Sequence, residues 1–289
     1  MVPHLPAWLR KPETHFEALH EIKLGLRRLG LHTVCESARC PNVHECFHRG
    51  TATFLILGSS CARGCGFCNV PEGNPPPPSP EEPEKVARMA RDMRLRHVVI
   101  TSVTRDDLQD GGSAHFAATI RAVRAAVPQA RIEVLTPDFQ GYTDAIACVV
   151  GAQPDIFNHN LETVARLYPV VRPQAGYRRS LDVLRLVRHH TPRVVTKSGL
   201  MVGLGEDARE VEELLGNLRE AGVEIVTIGQ YLRPSRRNLP VTAYVPPEQF
   251  EAWRGYALSI GFRAVASGPL VRSSYLAEEV AREATGAAC

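Results

Sequence analysis

The chain has 289 residues, 44 % of them apolar and 22 % charged, enough apolar material for a large buried core in a water-exposed protein. A formal net charge of +3 is too small, and its arginines too scattered, to argue for a nucleic-acid partner. No run approaches the ~18 apolar residues of a membrane span.

Cysteine usage is the informative count, because six of the eight lie between Cys35 and Cys68. The N-terminal run MVPHLPAWLRKPETHF has no apolar signal region, so a reducing, cytoplasmic setting is expected. There, crowded thiols read as metal ligands rather than disulfides. Cys148, inside the apolar run 146–150, reads as a buried structural thiol, and Cys289 is given no role.

Residues 14–29 place Phe16, Leu19, Ile22, Leu26 and Leu29 on one helical stripe, with Thr14 as cap and Gly30 as terminator. The word CESARCPNVHEC follows, with Cys35, Cys40 and Cys46 spaced Cys-x4-Cys-x5-Cys. Pro41 and the lack of periodicity predict a loop. Taken alone this triplet also fits a structural zinc site with His44 or His48 as fourth ligand. The apolar run Phe54–Leu57 predicts a strand ending in Gly58-Ser59-Ser60. After it come Cys61, Cys65 and Cys68 in a Cys-x3-Cys-x2-Cys pattern, with Gly64 and Gly66 permitting tight turns. Three thiolates on one short loop suit an iron–sulfur cubane with one iron free of protein, and an open position marks a metal site that does chemistry. Six thiolates exceed what one cubane takes, so two clusters are the simpler arrangement.

The proline-rich stretch 71–83 predicts an extended surface connection. Beyond it, strands are predicted at 97–103, 131–135, 155–158, 194–202, 224–229 and 263–266. Helices are predicted at 83–93, 113–127 with Ser113 as cap, 142–150, 161–168, 180–190, 208–221 and 247–260. Alternating strands and helices joined by short loops predict a parallel sheet covered by helices. Six strands before the C-terminal part predict an α/β fold, an incomplete (β/α)6 TIM-like barrel with N- and C-terminal extensions. Residues 1–50 read as the first extension, 51–262 as the barrel and 263–289 as the second.

At Cys61–Cys68, with Phe67 as the aromatic before the last cysteine, the chain resembles the radical S-adenosylmethionine (SAM) superfamily. With the earlier triplet, and with the words CESARCPN, TATFLILGSSCARGCGFCNV and SVTRDDLQDGG, it resembles the lipoyl synthase family more narrowly. The resemblance runs from about residue 13 to residue 275. It implies two [4Fe–4S] clusters, with SAM chelated at the free iron on Cys61, Cys65 and Cys68 and cleaved there to a 5′-deoxyadenosyl radical. The cluster on Cys35, Cys40 and Cys46 would donate two sulfur atoms to carbons 6 and 8 of a protein-bound octanoyl-lysine. The implied partners are octanoylated lipoyl carrier domains, namely the acyltransferase subunit of 2-oxoacid dehydrogenases and the glycine-cleavage H protein. A reduced ferredoxin or flavodoxin would supply electrons.

Strand-end loops should build the site in such a fold. Gly111 and Gly112 allow a ligand close to the backbone, or form an ordinary turn. Asn160 and Glu162 suit hydrogen bonds to SAM, although Glu162 would equally suit a first helical turn. Lys197 stands out in a chain that otherwise prefers arginine, its other lysines being Lys11, Lys23 and Lys85. Arg233, in the basic loop 230–240, could grip the SAM carboxylate or an acidic carrier. The word RSSY resembles the family motif that supplies a serine oxygen to the auxiliary cluster, which assigns Ser274, with Ser273 as the alternative. Sequence physics alone would make Ser274 a helix cap. Two rivals are a sulfur-inserting enzyme resembling biotin synthase, lacking the first triplet, and a two-cluster electron carrier, which would need ferredoxin-like repeats that are absent.

Overall fold

The computed structural model describes residues 5–10, 17–38 and 40–285. Helix α1, Glu17–Leu29, ends at Gly30, whose φ of +66° lets the Leu31 N–H reach Leu26 O at 2.9 Å. The proposed Thr14 cap and Phe16 lie outside the described residues, as does Cys289. No helix among the described residues is long and apolar enough to cross a membrane.

The two-residue strand β1, His32–Thr33, pairs antiparallel with β2, Thr51–Ile56. Between them the first cysteine triplet is only partly a loop: Cys35 lies in the short helix α2 (Val34–Ser37) and Cys46 in α3 (Val43–His48), with Cys40 and Pro41 in the connection. The Thr33 hydroxyl accepts from the Glu36 N–H at 3.3 Å, and this side-chain cap overrides the weak periodicity.

From β2 onward the sheet is parallel and in sequence order. Its strands are β3 (His97–Ser102), β4 (Arg131–Leu135), β5 (Ile156–Asn158), β6 (Val195–Val202), β7 (Ile225–Gln230) and β8 (Ala264–Gly268). The connecting helices are α4 (Glu82–Asp92), α5 (Ser113–Ala126), α6 (Thr143–Gly151), α7 (Tyr168–Val171), α8 (Tyr177–His190), α9 (Ala208–Glu220) and α10 (Pro247–Ser259). Helix α11, Ala277–Thr285, follows β8. Both strands β2 and β7 are buried along their whole length, as strands with side chains packed on two faces must be. The eight strands do not close, since β1 and β8 remain the sheet edges. The incomplete barrel is therefore the architecture, with one strand added at each edge by the segments read as extensions.

Four local expectations change. The segment 161–168 is not one helix: Glu162 takes a left-handed φ of 68°, and its N–H reaches Gly199 O at 3.0 Å. Only the turn at Ala165–Leu167 and α7 are helical there, because backbone pairing with β6 competes better than the local helical pattern. Helix α5 is capped by Asp110, which accepts from the Gly112 and Ala114 N–H groups at 2.9 Å, rather than by Ser113. Ser274 is no helix cap, since α11 begins three residues later. Cys148 on α6 is half-buried, not fully enclosed.

Candidate active site

The loops after β2, β3, β5, β7 and β8 emerge at the C-terminal ends of the parallel strands, so the fold brings them to one rim, while the first cysteine triplet lies between β1 and β2. Cys61, Cys65 and Cys68 lie after β2, and their loop is fastened on several sides. Arg63, inside the triplet, is buried and forks onto Asp106 at 2.6 and 2.9 Å and onto Asp138 at 2.8 Å. Asp138 in turn accepts from Arg179 at 2.7 Å. Burial opposes ionisation of Asp138, but Arg63 outweighs it and holds the carboxyl well below the usual range. The Gly66 N–H donates to Val171 O, and the Gly64 N–H to Gln174 Oε1, both at 2.9 Å. From the other side Asn238 Nδ2 reaches Cys68 O at 2.7 Å. The Thr104 N–H points at Cys61 Sγ at 3.2 Å, the kind of donor that tunes a cluster's sulfur ligands.

The first triplet lies beside the second. Asn69, next to Cys68, donates through Nδ2 to Ser37 O at 2.7 Å, and its own carbonyl accepts from Arg237 Nη2 at 2.8 Å. The C-terminal segment closes this side. Leu270 O accepts from Asn42 Nδ2 at 2.7 Å, and Tyr275 OH meets Glu45 Oε1 at 3.1 Å. Arg272 approaches Cys40, whose charge partly offsets the lowering of the guanidinium pKa by burial. Gly229 makes this docking possible, since a β-carbon there would overlap Val271 O.

Iron–sulfur clusters fit this donor set. All six cysteines are half-buried. Burial, reinforced by Cys40, pushes the Cys35 thiol up to about 11, and burial with the neighbouring thiols likewise pushes Cys68 up to about 11. Without a cation these groups keep their protons, and an iron centre would displace them. Among the described residues no three His, Cys, Asp or Glu side chains converge as a single ion requires. A cubane is a wider body, so the zinc reading with His44 or His48 gains no support from the geometry.

A second set of side chains runs inward from the rim as one hydrogen-bonded chain. Asn158 Nδ2 donates to Glu133 Oε1 at 3.1 Å and to Ser273 Oγ at 2.7 Å. Ser273 Oγ donates to Asn160 Oδ1 at 3.1 Å, and Asn160 Nδ2 donates to Glu162 Oε1 at 3.0 Å. Burial raises the Glu162 pKa, with Arg172 and Asn160 pulling the other way. Ser273 is thus tied down, whereas Ser274 makes no hydrogen bond among the described residues.

The structure places the other expected residues as follows. Lys197 is buried in an ion pair with Glu133. Arg233 directs its guanidinium to Asn238 O at 2.8 Å and to Arg236 O, within its own loop. Gly111 and Gly112 pack against Phe139 and Leu57, and a β-carbon on Gly112 would overlap Leu57. Phe67 is half-buried on the cysteine loop. Sequence reading missed Arg63, Asp138, Arg172, Asn158 and Glu133. Only Arg63, set between two cysteines, carried a local signal.

The radical SAM superfamily model matches residues 55–229. Solved structures share the fold at low identity. Methylornithine synthase (PylB) has a TM-score of 0.56 at 13 % identity, covering 86 % of this chain and 73 % of its own. HydG, a maturase of the [FeFe]-hydrogenase, has a TM-score of 0.56 at 12 % identity, over 85 % of this chain and 65 % of its own. The lipoyl synthase of Rubrobacter xylanophilus is 55 % identical over 279 residues, 96 % of this chain and 87 % of the relative. That of Caldicellulosiruptor saccharolyticus is 52 % identical over 277 residues, 96 % of this chain and 97 % of the relative. With two adjoining thiol triplets and this similarity along nearly its whole length, the chain belongs to the lipoyl synthase family of the radical SAM superfamily.

Proposed function

We propose that Cys61, Cys65 and Cys68 hold the [4Fe–4S] cluster that binds SAM, and that Cys35, Cys40, Cys46 and Ser274 hold a second, sulfur-donating cluster. The observation that carries this reading is the Asn69–Ser37 hydrogen bond of 2.7 Å, which fastens the segment carrying Cys35 to the loop carrying Cys68. Octanoyl C–H groups at carbons 6 and 8 have no useful acidity at neutral pH, so no general base among the side chains can open them. When bound, the clusters and SAM supply the one-electron chemistry and the sulfur that these carbons need.

The chain's own residues position these groups. Asn160, buried, and Glu162, half-buried and hydrogen-bonded to it, would face SAM as polar contacts. Asn158 and Ser273 hold Asn160 in place, which leaves the neighbouring Ser274 hydroxyl as the metal ligand. The Arg63 fork keeps the Cys61–Cys68 loop against the β3 and β4 loops. The open edge of the sheet admits a substrate that is itself attached to a protein, an octanoylated lipoyl carrier domain. A ferredoxin or flavodoxin serves as reductant in the cytoplasm, where the thiols stay reduced.

The test is mass spectrometry of an octanoylated carrier peptide after one turnover of the reconstituted protein with SAM and dithionite. Two added sulfurs per peptide are expected, together with 5′-deoxyadenosine. An electron carrier would release no 5′-deoxyadenosine, and iron without sulfide on Cys35, Cys40 and Cys46 would overturn the donor assignment.

A further inference from the structure

Arg172 follows α7 and stands between the two residues that anchor the cysteine loop. Val171 O holds the Gly66 N–H, and Gln174 Oε1 holds the Gly64 N–H, each at 2.9 Å. Those two anchors flank Cys65. The Arg172 side chain is only 9 % exposed. Its Nη1 donates to Asn160 O at 2.9 Å, Leu161 O at 3.2 Å and Tyr168 OH at 3.2 Å, while Nε has no partner. Every one of these acceptors is neutral, and the guanidinium forms no ion pair among the described residues. A buried cation with no carboxylate in direct contact among the described residues, Glu162 acting on it only at longer range, therefore sits beside the loop's anchors, where water does little to screen it.

We infer that Arg172 sets the reduction potential of the iron–sulfur centre on Cys61, Cys65 and Cys68, acting as a fixed buried charge. This rests on the cluster assignment proposed above. Accepting one electron from a one-electron reductant adds one negative charge to the centre, and a nearby cation stabilises the charged product more than the starting state.

The experiment is a redox titration of the full-length reconstituted protein followed by electron paramagnetic resonance, without substrate. The relevant signal is the one that changes on adding SAM. For Arg172→Met we expect at least a tenfold fall in the reduced-to-oxidised ratio at fixed potential, about 59 mV for one electron. Arg172→Lys, which keeps the charge, should restore most of it, and the auxiliary signal should not move. Should Arg172→Met fail to fold, Arg172→Gln retains a hydrogen-bond donor for the carbonyl oxygens and removes only the charge. An unchanged potential in whichever neutral variant folds overturns the inference. A SAM-responsive signal that survives replacement of Cys61, Cys65 and Cys68 by alanine would instead overturn the cluster assignment itself.

Discussion

Lys197 Nζ lies 2.8 Å from Glu133 Oε1 inside the barrel, and neither side chain is more than 1 % exposed. His97 Nε2 and Asn158 Nδ2 complete the carboxylate's partners, each at 3.1 Å. The lone late lysine is thus explained by an internal ion pair that needs a compact ammonium on a narrow site. Lys197→Met strands a buried carboxylate, which costs about 3–5 kcal/mol. Urea unfolding monitored by circular dichroism should show the loss, and Glu133→Gln combined with Lys197→Met should recover part of it.

Acid should weaken the protein in two stages. His159 is fully buried with Nδ1 2.9 Å from Thr136 O, and burial followed by the Arg172 charge lowers its pKa from 6.5 to about 4. The unfolded chain then binds the extra proton between those values, so stability falls as pH drops from about 6.5 toward 4. Burial raises the Glu133 carboxyl, but Lys197 and His97 overcome it and bring the pKa from 4.5 down to about 2. Its stabilisation is present above 4.5 and is lost as pH falls through 2. Urea midpoints across this range should decline in both windows, and His159→Gln should flatten only the upper one.

The adjacent serines should separate cleanly. Ser274→Ala should abolish sulfur insertion and lower the iron and sulfide content of the auxiliary site, while 5′-deoxyadenosine still forms. Ser273→Ala removes hydrogen bonds to Asn158 and Asn160 and should cost about 1–3 kcal/mol of stability. Its iron content should hold. Chemical analysis of iron and sulfide beside a thermal melt distinguishes the two, and reversed outcomes would move the ligand to Ser273.

Cys35→Ala should preserve SAM cleavage and eliminate lipoyl product, because it touches only the donor site. Chromatography of 5′-deoxyadenosine alongside mass spectrometry of the peptide measures both. Normal sulfur insertion by this variant would refute the division of roles.

What the chain reveals on reading and what it hides follow from contact range. Strand β4 falls where it was expected, at Arg131–Leu135, because a short buried run between turn residues is a local pattern. The thiol spacings were equally local. Residues 161–168 misled, since Leu161, Val164, Leu167 and Tyr168 repeat at helical intervals while the backbone at Glu162 pairs with β6 instead. Strand β1 is two residues long and leaves no periodicity to read. Arg63 takes its meaning from Asp138, 75 positions away, and Asn158 from Ser273, 115 positions away. No window along the chain contains either pair.

The contacts that close the first cysteine triplet, Asn42 to Leu270 and Glu45 to Tyr275, join positions 228 and 230 residues apart. A ribosome delivers the chain from its N-terminus, so Cys35, Cys40 and Cys46 emerge long before the segment that shuts over them. Closure over these cysteines must wait for the synthesis of Leu270 and Tyr275, and a nascent chain stalled before Leu270 would present three uncovered thiols to the cell.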